Sequence, residues 1–461
     1  MSKRNFTNLN MNPCKMCMPM GAAIAFKGIE GCMMLLHGSQ GCSTYIRRHI
    51  ATHYNEPMDI ASSSLNEKGT IYGGARDLKK GLKNLIKLYN PQIIGISTTC
   101  LAETIGEDID NIVKDFIEEE NIKDIQFITA STPGYGGSHY EGYYYALRKI
   151  VEHQTNISYP NNTLNIIVGN ISPANVRQIK KWLKDFGIQY TLLPDISNTL
   201  DAPFNNSYKK ITPGGTSLED IKKMSGAKAT IEIGLFVPEK YSPGKYLEDT
   251  YGVPLYRCPL PIGIENTDYF FNILSEISEK EIPQEYLEER GRMLDAMIDS
   301  HKYNSEGKAT IFGDPEIVYA ITKLCMENGI EPRIVATGTK SDLLKKMLIE
   351  DLCQKNYNSV VLENADFDTI HSYIKKNSIN LLIGHSDGKF IEEKENIPLI
   401  RIGFPIHDRV GGQRLLTIGY EGSTRLLDTI TNTLLQRKYS SYRSDLYRRY
   451  YLTSVDYSEL K

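Results

Sequence analysis

The feature that most restricts the fold of this chain is a repeated unit: a short apolar strand, a turn, an amphipathic helix and a second strand. In the clearest copy, residues 91–97 form a buried strand, Cys100 lies in the turn, and residues 125–129 form the next strand. Strands that alternate with helices in this way form parallel sheets. Cys100 is thereby placed at the carboxyl end of a strand, where open α/β sheets bind ligands.

The same unit recurs along the chain, with helices that begin at Ser172 and Asp314. The further strands are predicted at 165–169, 190–193, 309–313, 333–336, 380–384 and 398–403. None of the turns contains a Gly-x-Gly-x-x-Gly or Walker pattern, so we do not expect this chain to bind a nucleotide or act as a dehydrogenase.

At 461 residues the chain is longer than one hydrophobic core usually serves. We therefore predict an α/β fold of three Rossmann-like domains with parallel sheets flanked by helices. The predicted boundaries, taken from polar segments at 160–163 and 304–307, divide the chain into residues 1–160, 161–305 and 306–461. The Tyr- and Arg-rich stretch from Arg437 to Lys461 is expected to form a surface helix or tail that packs on a partner.

The composition excludes several classes of function. A net charge of −3 gives no electrostatic reason to expect nucleic acid. The N-terminus lacks an apolar signal region, and no run approaches the roughly 18 apolar residues of a membrane span, so we expect a cytoplasmic protein. Eight cysteines in so long a chain are too sparse for a disulfide scaffold. Ligation is the better explanation for any that cluster.

Three cysteines each lie in a loop suited to ligation: Cys17, Cys42 and Cys100. Cys42 precedes a predicted helix, whose N-terminus favours a thiolate, and Gly38 and Gly41 are expected to allow close approach of the backbone. Three thiolates are one short of a four-cysteine iron–sulfur cage, so a cluster held here needs a second subunit.

Other interpretations of the cysteines remain open at this point. Cys14 and Cys17 form a Cys-x-x-Cys pair, which suggests zinc or a redox dithiol, but no matching second pair follows. The three cysteines are also compatible with scattered buried thiols. Core packing is the interpretation we favour for the remaining cysteines, which are Cys32, Cys258, Cys325 and Cys353.

Taken together, the motifs resemble the β-type subunit of nitrogenase component 1. Two of them are His-Gly-Ser-Gln-Gly-Cys at 37–42 and Ser-Thr-Thr-Cys-Leu-Ala-Glu at 97–103. Further matching segments follow the family order at 17–22, 53–57, 61–67, 132–133, 261–264, 289–291, 313–315 and 403–405.

The resemblance implies a function shared with other chains. In that family an α-type and a β-type subunit each contribute three cysteines to an interfacial P-cluster (8Fe–7S), which makes Cys17, Cys42 and Cys100 the β-side ligands. Two such pairs form an α2β2 tetramer, and an ATP-dependent iron–sulfur reductase supplies electrons for the α-subunit cofactor. The chain departs from the family at Gly134, where many relatives have a serine that binds the oxidised cluster. The competing interpretation is a cofactor-assembly scaffold, although such relatives commonly keep fewer of these cysteines.

A second metal site is suggested by Asp295 and Asp299, which a helix would present on one face. A solvated acidic face is the simpler interpretation. The resemblance instead implies a hard cation between two copies, bound by this pair and by Glu56, and oxygen ligands suit calcium or ferrous iron.

Several other side chains have a structural and a functional interpretation. Tyr72 aligns with a family position that contacts the reductase, and core packing is its alternative. Five methionines are expected to form a dry lining around the cluster: Met16, Met18, Met20, Met33 and Met34. Ordinary hydrogen bonding is expected for the histidines His37, His49, His53, His139, His385 and His407.

Overall fold

Three parallel β-sheets follow one another in a computed structural model that describes residues 12–157 and 159–452. Their strands are short runs of buried residues because helices cover both faces of each sheet. The predicted α/β fold of three parallel-sheet domains is therefore confirmed.

The first sheet has the strand order β2-β1-β3-β4. Its domain contains α1 (Met18–Lys27), β1 (Cys32–His37), α2 (Gln40–Tyr54), β2 (Ile60–Ser62), α3 (Glu67–Tyr72), α4 (Ala75–Tyr89), β3 (Ile93–Thr98), α5 (Cys100–Thr104), α6 (Ile109–Glu120), β4 (Gln126–Ala130) and α7 (His139–Gln154).

The second sheet has the order β6-β5-β7-β8. Its elements are β5 (Leu164–Val168), α8 (Pro173–Asp185), β6 (Tyr190–Leu193), α9 (Leu218–Lys223), β7 (Ala229–Ile233), α10 (Pro243–Tyr251), β8 (Leu255–Cys258), α11 (Ile264–Ser278) and α12 (Gln284–Asn304). Helix α8 begins as predicted, because Ser172 accepts a hydrogen bond from the Asn175 amide and Pro173 occupies the first turn.

The third sheet has five strands in the order β11-β10-β9-β12-β13. Its elements are β9 (Lys308–Gly313), α13 (Pro315–Glu327), β10 (Glu331–Thr337), α14 (Asp342–Gln354), β11 (Val360–Leu362), α15 (Phe367–Ile374), β12 (Leu381–Gly384), α16 (Lys389–Glu395), β13 (Leu399–Arg401) and α17 (Gly419–Tyr447). Helix α17 returns to pack on α12 of the second domain.

The predicted boundaries near 160 and 305 fall in the connections between α7 and β5 and between α12 and β9, and they stay predictions. A π-helical turn (Arg448–Leu452) extends the C-terminal helix. Residues 453–461 of the predicted tail lie outside the described residues.

The segment before α1 contacts the third domain although it leads into the first. Pro13 forms a β-bridge with Asp366, the Cys14 amide donates to the Ala365 carbonyl at 3.0 Å, and the Phe367 amide donates to the Asn12 carbonyl at 3.0 Å. These contacts satisfy backbone groups that have no strand of their own to pair with. They also fix the direction from which the chain approaches Cys17.

Helices α1 and α7 cross in close backbone contact. A methyl group added at Gly21 would lie 1.8 Å from the His139 carbonyl oxygen, and one added at Gly142 would lie 2.0 Å from the Met18 carbonyl oxygen. Only glycine allows this spacing at both positions. The crossing fixes the first turn of α1, which follows directly after Cys17.

We predict that Gly142→Ala destabilises the protein, because the new methyl group overlaps backbone and the two helices must separate. Overpacking of this kind costs about 1–3 kcal/mol, which lowers the thermal midpoint by about 2–4 °C per kcal/mol in a domain of this size. Gly291→Ala is the matched control, since nothing lies within 4 Å of its added methyl group on the exposed side of α12. Circular dichroism of the two purified variants measures the difference, and equal midpoints would contradict the prediction.

Candidate metal centre

The three predicted ligand cysteines lie at the N-terminal ends of three helices. Cys17 is the N-cap of α1, Cys42 is the third residue of α2, and Cys100 is the first residue of α5. Strands β1 and β3 are paired with His37 opposite Thr98, so the loops that carry Cys42 and Cys100 leave the same edge of the sheet. The parallel sheet therefore brings together two cysteines that are 58 positions apart in the sequence.

Gly134 lies between Cys17 and Cys100. Its amide donates to Cys100 Sγ at 3.1 Å, and a Cβ atom at this position would lie 3.1 Å from Cys100 Sγ and 3.4 Å from Cys17 Cβ. The turn before α7 thus joins the first and third cysteines. A serine here, as in many members of the resembled family, would place its side chain against both.

Cys42 completes the group electrostatically. Burial raises the pKa of Cys17 to about 11, and negative charge on Cys42 and Cys100 raises it further. Burial and the charge of Cys100 also raise the pKa of Cys42. Because two of the three thiols are exposed and Cys17 is half-buried, the group forms an open patch at the surface. We call Cys17, Cys42 and Cys100 the cysteine patch.

The loop that carries Cys17 is held by both neighbouring domains. The Met16 amide donates to His139 Nδ1 at 3.2 Å, and the His139 amide donates back to the Met16 carbonyl at 2.9 Å. Cys17 itself forms a β-bridge with Ser138. On its other ring nitrogen His139 contacts Asp314 at 3.1 Å, so a first-domain histidine is fixed by a third-domain carboxylate.

The glycine predictions for the Cys42 loop are half correct. A Cβ atom at Gly38, where φ is +155°, would collide with Thr99 Oγ1 at 1.8 Å, so glycine is required where the two cysteine loops pass each other. The prediction for Gly41 is wrong, because the nearest atom to an added Cβ is Ser39 Oγ at 3.7 Å.

The predicted methionine lining also needs correction. All five methionines are buried, and Met16 lies 3.9 Å from the Tyr45 hydroxyl of α2. Met33, however, packs in the core beneath α4 and α6, on the opposite face of β1 from Met34. Successive strand residues point to opposite faces, so one of these two could not line the patch.

The remaining cysteines and histidines take mostly structural roles. Cys32, Cys258 and Cys325 are buried as predicted, whereas the prediction for Cys353 is wrong because this residue is exposed on α14. His37 contacts Ser63 at 3.0 Å, and His53 accepts the Ile406 amide at 2.8 Å. Burial lowers the pKa of His53 to about 3, which keeps the ring neutral as an acceptor.

The donor set of the cysteine patch fits part of an iron–sulfur cluster. Thiolates are the usual ligands of such clusters, and each thiol here adjoins helix N-terminal amides that favour negative charge. Among residues 12–157 and 159–452, no three His, Cys, Asp or Glu side chains converge on a single metal ion. The patch therefore offers thiols that are open to a neighbouring chain, not a closed cage.

The structure brings Asp295 and Asp299 together but separates them from Glu56. Both aspartates are exposed on α12. Glu56 follows α2 and accepts the Ala202 amide at 2.9 Å. It lines a surface cavity of about 910 Å³ together with Lys27, Asp59 and residues 202–214, and the two aspartates do not line this cavity.

Tyr72 lies at the surface beside the cysteine loops. Its side chain is 81% exposed and that of Ile71 is 74% exposed, so core packing is excluded for Tyr72. The groove next to α3 is lined by Leu65, Ile71, Ser39 and Leu101, among others. The last two residues belong to the loops that carry Cys42 and Cys100. None of the helices described is long and apolar enough to cross a membrane.

Sequence and structure comparisons connect this geometry to known proteins. The family described as nitrogenase component 1 type oxidoreductase matches residues 17–435. The nitrogenase molybdenum-iron protein beta chain of Clostridium pasteurianum is 37% identical over 432 residues, which cover 93% of this chain and 94% of the relative. The nitrogenase vanadium-iron protein beta chain of Trichormus variabilis is 34% identical over 436 residues, covering 92% and 94%.

A solved structure of nitrogenase Cp1 at pH 6.5 superposes with a TM-score of 0.91 at 36% identity and covers 94% of this chain and 95% of its own. A second Cp1 chain, 13% identical with a TM-score of 0.68, shares the fold alone. The chain therefore belongs to the nitrogenase component 1 type oxidoreductases and is an oxidoreductase subunit of their β type, which works together with a partner subunit.

Proposed function

We propose that Cys17, Cys42 and Cys100 are the β-side ligands of a P-cluster (8Fe–7S) at the interface with an α-type subunit. The observation that carries this proposal is the open cysteine patch, in which Gly134 joins Cys17 and Cys100 at the surface. Three thiolates leave cluster iron unsatisfied, and a partner surface can supply the rest. When bound, such a cluster stores and passes electrons.

The residues around the patch would control access and charge. Met16 and Met18 are buried next to Cys17 and exclude water on that side. The amide of Gly134 already donates to Cys100 Sγ, and a hydrogen bond to a ligating sulfur stabilises its negative charge. Since the pKa values of Cys17 and Cys42 are raised, iron binding must release their protons and is favoured as the pH rises.

Electrons would arrive from an ATP-dependent iron–sulfur reductase that docks on the exposed Ile71–Tyr72 surface. This surface continues through Ser39 and Leu101 to the cysteine loops. A reductase bound here would therefore stand over the loops that hold the cluster. The electrons would pass to the cofactor of the α-type partner, where the substrate is reduced in the cytoplasm.

We also propose an α2β2 assembly in which a calcium or ferrous ion lies between two copies of this chain. Asp295 and Asp299 of one copy would bind it with Glu56 of the other, since one copy does not bring the three carboxylates together. Leu294 and Ile298 are 39% and 74% exposed beside the aspartates on α12, as expected for a surface that another chain covers.

A cofactor-assembly scaffold is the second candidate function. Both candidates share the fold, and they differ in the cluster they hold. Retention of all three patch cysteines favours the electron-transferring subunit.

We predict that Cys42→Ala removes the cluster without unfolding the chain, because Cys42 is exposed and its loss creates no cavity in the core. Iron analysis and EPR of the purified two-subunit complex should show about eight cluster irons per pair before the change and loss of most of them after it. Cys353→Ala, which removes another exposed thiol, should leave both measurements unchanged. Unchanged iron in Cys42→Ala would contradict the ligand role, and a four-iron cluster in the unaltered complex would favour the scaffold.

Gly134→Ser is expected to change the EPR spectrum of the oxidised cluster, because the new hydroxyl would lie against Cys100 Sγ. Gly134→Ala adds the same Cβ atom without an oxygen and is the matched control. If serine and alanine give the same spectrum, the hydroxyl does not reach the cluster.

Asp295→Asn combined with Asp299→Asn should remove the intersubunit cation, because amides bind it more weakly than carboxylates. Metal analysis should show loss of one cation per chain while the cluster iron is retained. Glu288→Gln, on the same exposed helix, serves as the control. Retention of the cation in the double variant would exclude this site.

A further inference from the structure

A carboxylate of the third domain lies between two histidine rings. Asp387, just after β12, contacts His385 Nδ1 at 3.3 Å through one oxygen and His407 Nε2 at 3.1 Å through the other. On its far side the His385 ring contacts Cys14 Sγ at 3.6 Å. We call His385, Asp387 and His407 the imidazole–carboxylate unit.

The unit runs from the surface to the interior. The side chain of His407 is 34% exposed, that of Asp387 is 10% exposed and that of His385 is 4% exposed. Cys14, which follows, is 2% exposed. Solvent therefore reaches the outer ring directly, and the inner ring communicates with solvent only through Asp387.

The protonation states follow from the contacts. Burial strongly raises the pKa of the Cys14 thiol, so the thiol keeps its proton and donates to His385 Nε2. The neutral His385 ring then carries its proton on Nδ1, which faces Asp387. Burial acts to raise the pKa of Asp387, but the contacts with His385 and His407 outweigh it, and the pKa lies below its ordinary value. An ionised carboxylate between two imidazoles favours an added proton on either ring.

The inner contact of the unit is incompletely bonded. Among the described residues, His385 Nδ1 and Asp387 Oδ2 are both buried and make no hydrogen bond of good geometry, although they are 3.3 Å apart. A buried ionic pair of this kind is sensitive to a change of nearby charge, because little water is present to screen it.

Helix α2 connects the unit to the cysteine patch. Tyr45 lies one turn after Cys42, and burial raises its pKa, with further contributions from negative charge on Cys17 and on Asp387. Tyr45 is thus within electrostatic reach of both the patch and the unit. An electron added at the patch would act on the unit across a short, largely buried distance.

The other charged or titratable groups near the unit come from three elements. His49 of α2 is influenced by both Asp387 and His407. Cys14 lies on the N-terminal segment. Ser386 Oγ connects the His407 amide to Asp408, which pairs with Arg401 and Arg409. These two arginines already have carboxylate partners, so Asp387 is the carboxylate that faces the two rings.

We propose that the imidazole–carboxylate unit takes up a proton when the cluster at the cysteine patch receives an electron, an inference that rests on the proposed function. One electron comes from the reductase, and one proton from solvent adds to the outward ring nitrogen of His407. Its Nε2–H continues to face Asp387, which stabilises the imidazolium. The only bond formed is this N–H bond, and the added positive charge offsets the added electron.

The test is the pH dependence of the cluster midpoint potential, measured by EPR-monitored redox titration of the two-subunit complex between about pH 6 and 8.5. Imidazoles change charge in this range. Coupling of one proton to one electron shifts the potential by about 59 mV for each tenfold change in proton concentration. The unaltered complex should take up a substantial fraction of a proton per electron, and Asp387→Asn should lose more than half of it because an amide does not stabilise an imidazolium.

His407→Gln is the second variant, since this ring is partly exposed and its replacement leaves the core intact. It should show the same loss. Glu395→Gln is the matched control, because Glu395 pairs with His371 elsewhere on the third domain and should leave the coupling unchanged. Iron content is measured first in every sample, so that only complexes with a full cluster are compared.

A full cluster with a pH-independent potential, or with the same pH dependence in Asp387→Asn and His407→Gln as in the unaltered complex, would overturn the proton-uptake proposal alone. Absence of the cluster from the unaltered complex would instead overturn the proposed function and this inference with it.

Discussion

The backbone contact between the Cys17 loop and the start of α7 is the interaction on which the rest of the site depends. The reciprocal hydrogen bonds of Met16 and His139 fix the loop, and the crossing of α1 and α7 leaves no space to move it. The same turn that leads into α7 carries Gly134, whose amide reaches Cys100. One rigid junction thus sets the spacing of cysteines that come from opposite ends of the first domain.

The third domain contributes to this junction although it carries none of the patch cysteines. Asp314 fixes the ring of His139, and the segment around Ala365 holds the chain at Cys14. A change in the third domain can therefore be transmitted to Cys17 through packed backbone without any loop having to move. The imidazole–carboxylate unit lies in the same domain and adds an electrostatic connection to this mechanical one.

Local patterns in the sequence predicted the elements well and predicted individual contacts less well. The strand predicted at 190–193 agrees with β6, and the strand predicted at 165–169 is shifted by one residue from β5. Gly38 could be predicted because a glycine next to a cysteine loop indicates close approach. Gly41 looks the same in sequence, and only the position of Thr99 distinguishes the two. The contact between Cys14 and His385 joins residues 371 positions apart, and no local periodicity contains that information.

The central claim is that the cysteine patch holds half of a shared cluster. Anomalous diffraction at the iron edge, from crystals of the two-subunit complex, tests it most directly. The account predicts iron within bonding distance of Cys17, Cys42 and Cys100 Sγ, in one cluster that continues into cysteines of the partner. Iron bound only by the partner, with the three sulfurs free, would contradict it.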